Sequence, residues 1–233
     1  MTVVIFIAIG ILAGLIFSYS TLQKIARIYQ TPSVYVSALP LDGHVEVVGK
    51  ADGKNTKSLL KHTNCCLWQV TIEEQRRRSK GAPYWVTIYT RMSEESFDLT
   101  DGKEKIQIFP ANAHLILHDD MSKTSSFLNP LPPRIQNTLK DFGIDTAPGL
   151  LGFERPLRVK ECIIKPGDEV YILGEVQYES GIKSIKNTDD SPLIISDHTE
   201  REVIGTLFRV VVVNILKFGF SGAMVFFLLQ SFK

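Results

Sequence analysis

The sequence is poor in cysteine, balanced in charge and without any familiar catalytic signature. Cys65, Cys66 and Cys162 are its three cysteines in 233 residues, and an odd count with no repeated spacing excludes a disulfide framework as the basis of the fold. A bond between the neighbours Cys65 and Cys66 would strain the backbone, whereas either could still reach Cys162. The plain reading is buried thiols in a reducing compartment. Lys plus Arg number 26 against 25 Asp plus Glu, so the basic surplus of a nucleic-acid binder is missing and no nucleic-acid partner is expected. G-x-S-x-G, P-loop and H-E-x-x-H patterns do not occur, which removes the commonest serine-hydrolase, nucleotide-hydrolase and zinc-protease readings. No internal repeat or low-complexity tract interrupts the chain.

The apolar residues are concentrated at the two ends. Residues 3–19, VVIFIAIGILAGLIFSY, carry no charge. Seventeen residues at 1.5 Å each lie at the lower limit for crossing hydrocarbon. Only Met1 and Thr2 precede them and no A-x-A site follows, so an uncleaved anchor is expected rather than a signal peptide. Residues 210–230, VVVVNILKFGFSGAMVFFLLQ, form a second run of spanning length, interrupted by Asn214 and Lys217. The rivals for this segment are a helix lying in the interface or packed in a soluble core. Lys217 sits about a third of the way in and can snorkel to the nearer interface, the alternative being a polar contact with the first helix. Gly10, Ala13 and Gly14 in one run, and Gly219, Ser221, Gly222 and Ala223 in the other, would let two helices approach closely. With only residues 231–233 after the second run, no catalytic domain is expected there. Lys24, Arg27, Arg201 and Arg209 flank the membrane segments on the domain side, which predicts a two-pass integral membrane protein with its domain on the cytoplasmic side.

Residues 31–200 read as one mainly β domain. Residues 34–36 and 44–48 alternate in strand fashion with Asp42-Gly43 as the turn between them. Residues 66–72 and 84–90 predict a hairpin. Residues 97–99 and 105–108 predict a tight one around Asp101-Gly102. Residues 113–117 add a strand. Residues 119–152 break the pattern with Asn129-Pro130 and Pro132-Pro133 and a short helical piece at 134–142, an irregular insertion. Strand character returns at 157–164 and, after a Pro166-Gly167-Asp168 turn, at 169–176. The fold class expected is a compact antiparallel β domain, a small barrel or a sandwich, flanked by two transmembrane helices. A core of this size needs neither disulfides nor metal.

Sites are sparse. His114 and His118 fall on one side of a strand beside Asp119 and Asp120; a metal site from His118, Asp119 and Asp120 competes with a solvated acidic turn, and lacking a further ligand the turn is favoured. His62, Cys65 and Cys66 supply too few spaced ligands for structural zinc. No metal and no cofactor is expected. Ser196, Asp197 and His198 are adjacent, which is no evidence for a triad; Ser196 or Asp197 is expected to cap the closing helix. Arg76, Arg77, Arg78 and Lys80 form a basic hairpin tip that could meet anionic headgroups or a partner, or simply protect a sheet edge. Trp85, just beyond, is assigned to the core by alternation.

One stretch is specific as a whole. Residues 158–175 read R-x-x-E-x-x-I-x-P-G-D-x-V-Y-x-L-G-E. They follow HVEVVGKAD at 44–52, Lys57-Ser58-Leu59, Cys65-Cys66, a strand ending in Glu73-Glu74, and Phe97-Asp98-Leu99, with an apolar run at either end. This order resembles the GIDE family of mitochondrial membrane ubiquitin ligases and their prokaryotic relatives, whose shared module is called BAM, for "beside a membrane". The resemblance covers nearly the whole chain. It implies a membrane-tethered β domain that binds partners or senses conditions at the bilayer, with Arg158, Glu161, Gly167, Asp168, Gly174 and Glu175 as motif residues. It also implies, in the eukaryotic members, a zinc-binding RING with eight Cys/His ligands, onto which no residue of this chain maps. Glu161 and Glu175, if buried, require partners such as Arg158. The expected function is a non-catalytic interaction, scaffold or sensor module, with the bilayer and either an unidentified protein or a second copy as partners. The alternatives are a ubiquitin-ligase-like protein and a membrane-perturbing effector.

Overall fold

The computed structural model describes residues 2–53, 56–77, 81–126, 129–144, 156–179, 181–188 and 191–231. Two helices open the chain, α1 (Thr2–Phe17) and α2 (Tyr19–Gln30), followed by strands β1 (Ser33–Val34) and β2 (Gly43–Asp52). Next come β3 (Thr56–Lys57), β4 (Asn64–Cys65), β5 (Leu67–Arg76), β6 (Tyr84–Met92), β7 (Phe97–Thr100), β8 (Lys105–Ile108), β9 (His114–Ile116) and β10 (Met121–Thr124). Helix α3 (Pro133–Asp141), strands β11 (Leu157–Ile164), β12 (Glu169–Glu179), β13 (Ile182–Lys186) and β14 (Ile194–Ser196), and helix α4 (Glu200–Ser231) complete it.

Five strands close into a barrel. β2 pairs with β7, β7 with β8 and β13 with β12, all antiparallel; β8 and β13 run parallel; and β12 returns to β2. This ring order, first-second-third-fifth-fourth among the barrel strands, is that of the OB-type Greek-key barrel. Period-two alternation sends Val45, Val47, Leu99, Ile108, Val170, Ile172, Val176 and Ile185 inward to one core. The expected small barrel is therefore present, but the sheet is mixed. β1 lies parallel to β2, with Ser33 opposite Glu46, so Asp42-Gly43 is not a hairpin turn between them. β9 is likewise parallel to β14.

A second sheet, β10-β11-β5-β6, rises from the barrel. The predicted hairpins β5–β6 and β7–β8 form, the first with a register shift between Ile72 and Glu73. Trp68, Val70, Ile72, Val159 and Ile163 face Ile135 and Leu139 of α3 in a second core. The expected irregular insertion thus supplies an edge strand, β10, to this sheet, and its expected helical piece, α3, covers the sheet. Leu67 and Ile164, at the strand ends, belong to the barrel core, which fuses the two layers. β11 and β12 lie in different sheets, so Pro166-Gly167-Asp168 is a corner between sheets and not a hairpin turn.

The ends depart from expectation in one respect. Glu200–Gln230 is long and apolar enough to cross a membrane, whereas the amino-terminal run stops at Phe17 and bends by 60° into α2. Ser18, at the bend, is buried. The mixed segment before residue 210 is continuous with the apolar run, giving one helix of 32 residues, roughly 48 Å long. It starts on a Thr199–Glu202 cap, with the Thr199 N–H and hydroxyl both donating to Glu202 at 2.9 Å. Ser196 and Asp197, expected to cap it, are engaged elsewhere.

Candidate functional site

The motif residues divide between the two sheets, and each holds the fold at a particular place. Glu161 is fully buried on β11. It accepts from the backbone N–H groups of Leu60 (2.6 Å) and Lys61 (2.8 Å) and from Ser58 Oγ (3.3 Å). It thereby fixes the 58–63 loop, in which His62 takes the left-handed conformation (φ 53°). The partner expected for it, Arg158, instead bonds Glu73 across the sheet at 2.5 Å and lies over the Trp85 ring, 4.4 Å from its centroid. Trp85 is consequently half-buried on an edge strand and not in the core.

Gly167 has a φ of +91°, which only glycine adopts without strain. Its N–H donates to Ala51 O at 2.7 Å, while Ala51 N–H donates to Asp168 O at 2.9 Å, stitching the corner to the barrel. The Asp168 carboxylate accepts from Lys165 N–H at 2.8 Å. Gly174 lies where the free edge of β12 changes partner from β14 to β13. A methyl group there would sit 2.6 Å from Ile185 Cγ2 and 2.9 Å from Leu193 Cδ1. Glu175 accepts from Thr188 Oγ1 at 2.6 Å and steadies the return loop. The signature is therefore an architectural one: a loop clamp, a sheet-to-sheet corner and a barrel seam.

The three cysteines are buried free thiols, as expected. Burial pushes Cys65 up to about 12, Cys66 to about 11 and Cys162 to about 12, with the charge of Asp119 adding to the last. Thiols so held are poor nucleophiles and poor metal ligands.

Of the basic tip, Arg76 pairs with Glu74 at 2.9 Å and Arg77 is exposed; Arg78 and Lys80 lie outside the described residues. His118 does not gather with Asp119 and Asp120. Asp119 turns to Lys160 (3.0 Å) and Cys162, and Asp120 accepts from Ile163 N–H at 2.9 Å. His118 meets Asp197 and His198, its Nδ1 lying 3.2 Å from Asp197 Oδ1 and its ring stacking on that of His198. Nothing local in the sequence links residue 118 to 197; the parallel pairing of β9 with β14 does.

A buried carboxylate also escaped the sequence reading. Glu46, on the outer face of β2, accepts from Ser33 Oγ (2.6 Å) and from the Tyr171 hydroxyl (3.1 Å). Burial, then the Glu46 charge, holds the Tyr171 phenol well above its ordinary range. Tyr171 also belongs to a third apolar cluster, with Leu173, Ile194, Ile28 of α2, and Val203 and Leu207 of α4. This cluster is the joint between barrel and terminal helices.

Above the joint, α1 and α4 run side by side. A Cβ on Gly10 would fall against the Phe218 carbonyl, one on Gly14 would lie 2.8 Å from Ile215 Cα, and one on Gly222 would fall against the Phe6 carbonyl. Asn214 Nδ2 donates to Ser18 Oγ at 3.1 Å, the polar contact that sequence reasoning had considered for Lys217. Lys217 itself is exposed. Outward from this pair point Ile5, Ile9, Leu12 and Ile16, and Leu216, Phe220, Met224 and Phe227, all exposed.

These features define a class: a β-barrel domain with an apolar helix rooted in its wall. A profile of the GIDE family, described as E3 ubiquitin ligase, matches residues 69–226, about two thirds of the chain and inclusive of the whole β11–β12 signature. The chain belongs to the GIDE family. Comparison with curated proteins and with solved structures returns no match.

Proposed function

We propose that this GIDE-family chain is a two-pass, membrane-anchored interaction module whose β domain serves as a non-catalytic scaffold or sensor on the cytoplasmic side. The observation that carries the reading is the continuity of α4. Its first turns bury Val203 and Leu207 against the barrel wall, and its distal turns expose Leu216, Phe220, Met224 and Phe227. An apolar surface of that extent on a helix of spanning length supports cover by lipid. Packing of α1 glycines against α4 backbone supports a hairpin in which both helices cross. The bend at Ser18 then lays α2 beside the bilayer with Lys24 and Arg27 on the domain side, and the cytoplasmic assignment follows from that charge bias. Arg77, with its neighbours Arg76, Arg78 and Lys80, is assigned to anionic headgroups or an acidic partner surface.

Alkaline extraction of membranes, with protease access to a tag at Lys233, tests the anchoring. Resistance to extraction and protection of the tag on the side opposite the domain are expected; release by alkali overturns the reading. Capture of a specific protein or lipid by the full-length chain in detergent tests the interaction role.

The family's description favours a second reading, participation in ubiquitin transfer. A RING needs eight Cys/His ligands, and the three thiols here are buried in or beside strands with raised pKa values, which supports the non-catalytic alternative. Discharge of ubiquitin from a charged conjugating enzyme by the purified chain would decide for ligase activity. The pore reading loses Asn214, which is committed to Ser18 inside the helix pair.

A further inference from the structure

His118, Asp197 and His198 come from two separated segments and converge at the root of α4, with their ligating atoms all within 4.8 Å of one another. Asp197 Oδ1 lies 3.2 Å from His118 Nδ1 and 3.6 Å from His198 Nε2. Zinc bonds of 2.0–2.1 Å in a tetrahedron place adjacent ligand atoms about 3.3 Å apart, so the two imidazole–carboxylate distances, those of ion pairs as the residues stand, are short enough for one ion to bridge once His118 turns. The cluster is also supported from behind. Both oxygens of Asp197 accept from the His118 N–H at 3.1 Å. The His198 N–H donates to Ser196 Oγ, whose hydroxyl donates to Ile116 O at 2.6 Å. His198 Nδ1, the ring nitrogen facing away from Asp197, is 3.9 Å from Glu202 Oε2. At that distance there is no hydrogen bond, and Glu202 Oε2 already accepts from Thr199; the carboxylate lies behind the imidazole as a nearby charge.

We infer that His118, Asp197 and His198 form a binding site for a zinc-class divalent cation, completed by water, at the junction of barrel and membrane helix. Two imidazoles and one carboxylate suit zinc, cobalt or nickel, whereas calcium and magnesium require mostly oxygen ligands. No cysteine takes part, which separates this site from any RING. The stacked rings, 3.8 Å between centroids, both present nitrogen to Asp197. Convergence on one ion requires a turn of His118, whose side chain is 65% exposed and free to make it. Bound metal would clamp the residues after β9 to those opening α4, fixing the angle at which the helix leaves the barrel.

The test uses the full-length chain in detergent, stripped with chelator and titrated with Zn²⁺ by calorimetry and with Co²⁺ by visible absorption. One equivalent is expected, with a tetrahedral Co²⁺ spectrum. His118→Ala, Asp197→Asn and His198→Ala should each weaken binding about tenfold or more, while His44→Ala and Cys162→Ser leave it unchanged. Because His118 is exposed, H118A retains the fold, and an unaltered melting curve without metal verifies it. Absence of stoichiometric binding, or binding lost with the cysteine change and kept in H118A, overturns the site. Neither result bears on membrane extraction, so the anchoring proposal stands or falls separately.

Discussion

Helix α4 is held in two different ways along its length. Its lower turns close on the barrel through branched side chains, Val203 and Leu207 against Tyr171, Leu173 and Ile194. Its upper turns close on α1 through backbone contact at glycines, Gly222 and Phe218 meeting Phe6 and Gly10, with the rings of Phe6–Phe226 and Phe17–Phe218 alongside. The contrast has a physical cause. At the joint, water drives apolar burial, at about 25 cal/mol per Å². In hydrocarbon, where the proposed function puts the upper turns, that drive would vanish, and close backbone packing with an interhelical hydrogen bond such as Asn214–Ser18 would remain. One continuous helix thus carries two binding chemistries along its length.

The sharpest way to break that contrast is to give the upper half a side chain. Gly222→Leu places a branched group against Phe6 backbone, which has no rotamer to yield, and should cost roughly 3 kcal/mol of helix pairing, the upper end of overpacking penalties. In a background free of native cysteines, crosslinking of Phe6→Cys with Phe226→Cys, whose parent rings lie 5.9 Å apart, should collapse. The melting of the β domain should not change.

The reciprocal substitution acts below. Leu207→Ala opens a cavity at a position 3% exposed and should cost about 2–3 kcal/mol. Hydrogen exchange should quicken at β14 and the first turns of α4, while the 6–226 crosslink persists. If both substitutions loosened both halves, α4 would be one cooperative unit and the contrast would fail.

What the sequence disclosed follows the same division. Local patterns were legible: β5, β7, β8 and β11 lie close to where alternation put them, because alternation reflects burial of one face. Nonlocal pairings were not. β14 is three residues long, too short for periodicity, and the parallel contacts that close the barrel and bring His118 to His198 leave no local trace. The motif 158–175 was visible, but its chemistry was misjudged in part: Glu161 proved to be a clamp for backbone N–H groups rather than the partner of Arg158. The bend at Ser18 lay inside an apolar run that hydropathy reads as one span.

Alkali should separate the halves without mutation. The raised thiols of Cys65, Cys66 and Cys162 and the raised Tyr171 phenol all belong to the β domain and its joint. A folded pKa above the unfolded value contributes stability that is complete below the unfolded value and lost as pH rises through the folded one. The unfolded thiols release protons near 9.0 and the folded ones near 11 to 12. The denaturation midpoint of the domain should therefore be level below pH 8 and fall progressively above pH 9. Replacing all three cysteines with Ala should flatten the fall, leaving the contribution of Tyr171. The 6–226 crosslink should survive across that range.

The smallest effect is expected where the helix begins. Thr199 donates through both N–H and hydroxyl to Glu202, and its carbonyl accepts from Val203 N–H at 3.0 Å. Thr199→Ala removes the hydroxyl alone and should cost about 0.5–1 kcal/mol, within the range for a lost N-terminal cap, whereas Thr199→Ser should cost little. The cap's hydrogen bonds hold the Glu202 carboxyl below its ordinary 4.5, so their contribution is present above that value and disappears as pH falls through the lowered one. The difference between T199A and the parent chain, read as exchange of the amides in the first turn of α4, should be present at pH 7 and shrink below pH 4. Because that turn also carries Glu202 behind His198, a metal ion on His118, Asp197 and His198 should mask the substitution: fraying in T199A is expected without Zn²⁺ and suppressed with it. Persistence of the fraying at saturating Zn²⁺ would mean that the cap, and not the ion, governs how α4 leaves the barrel.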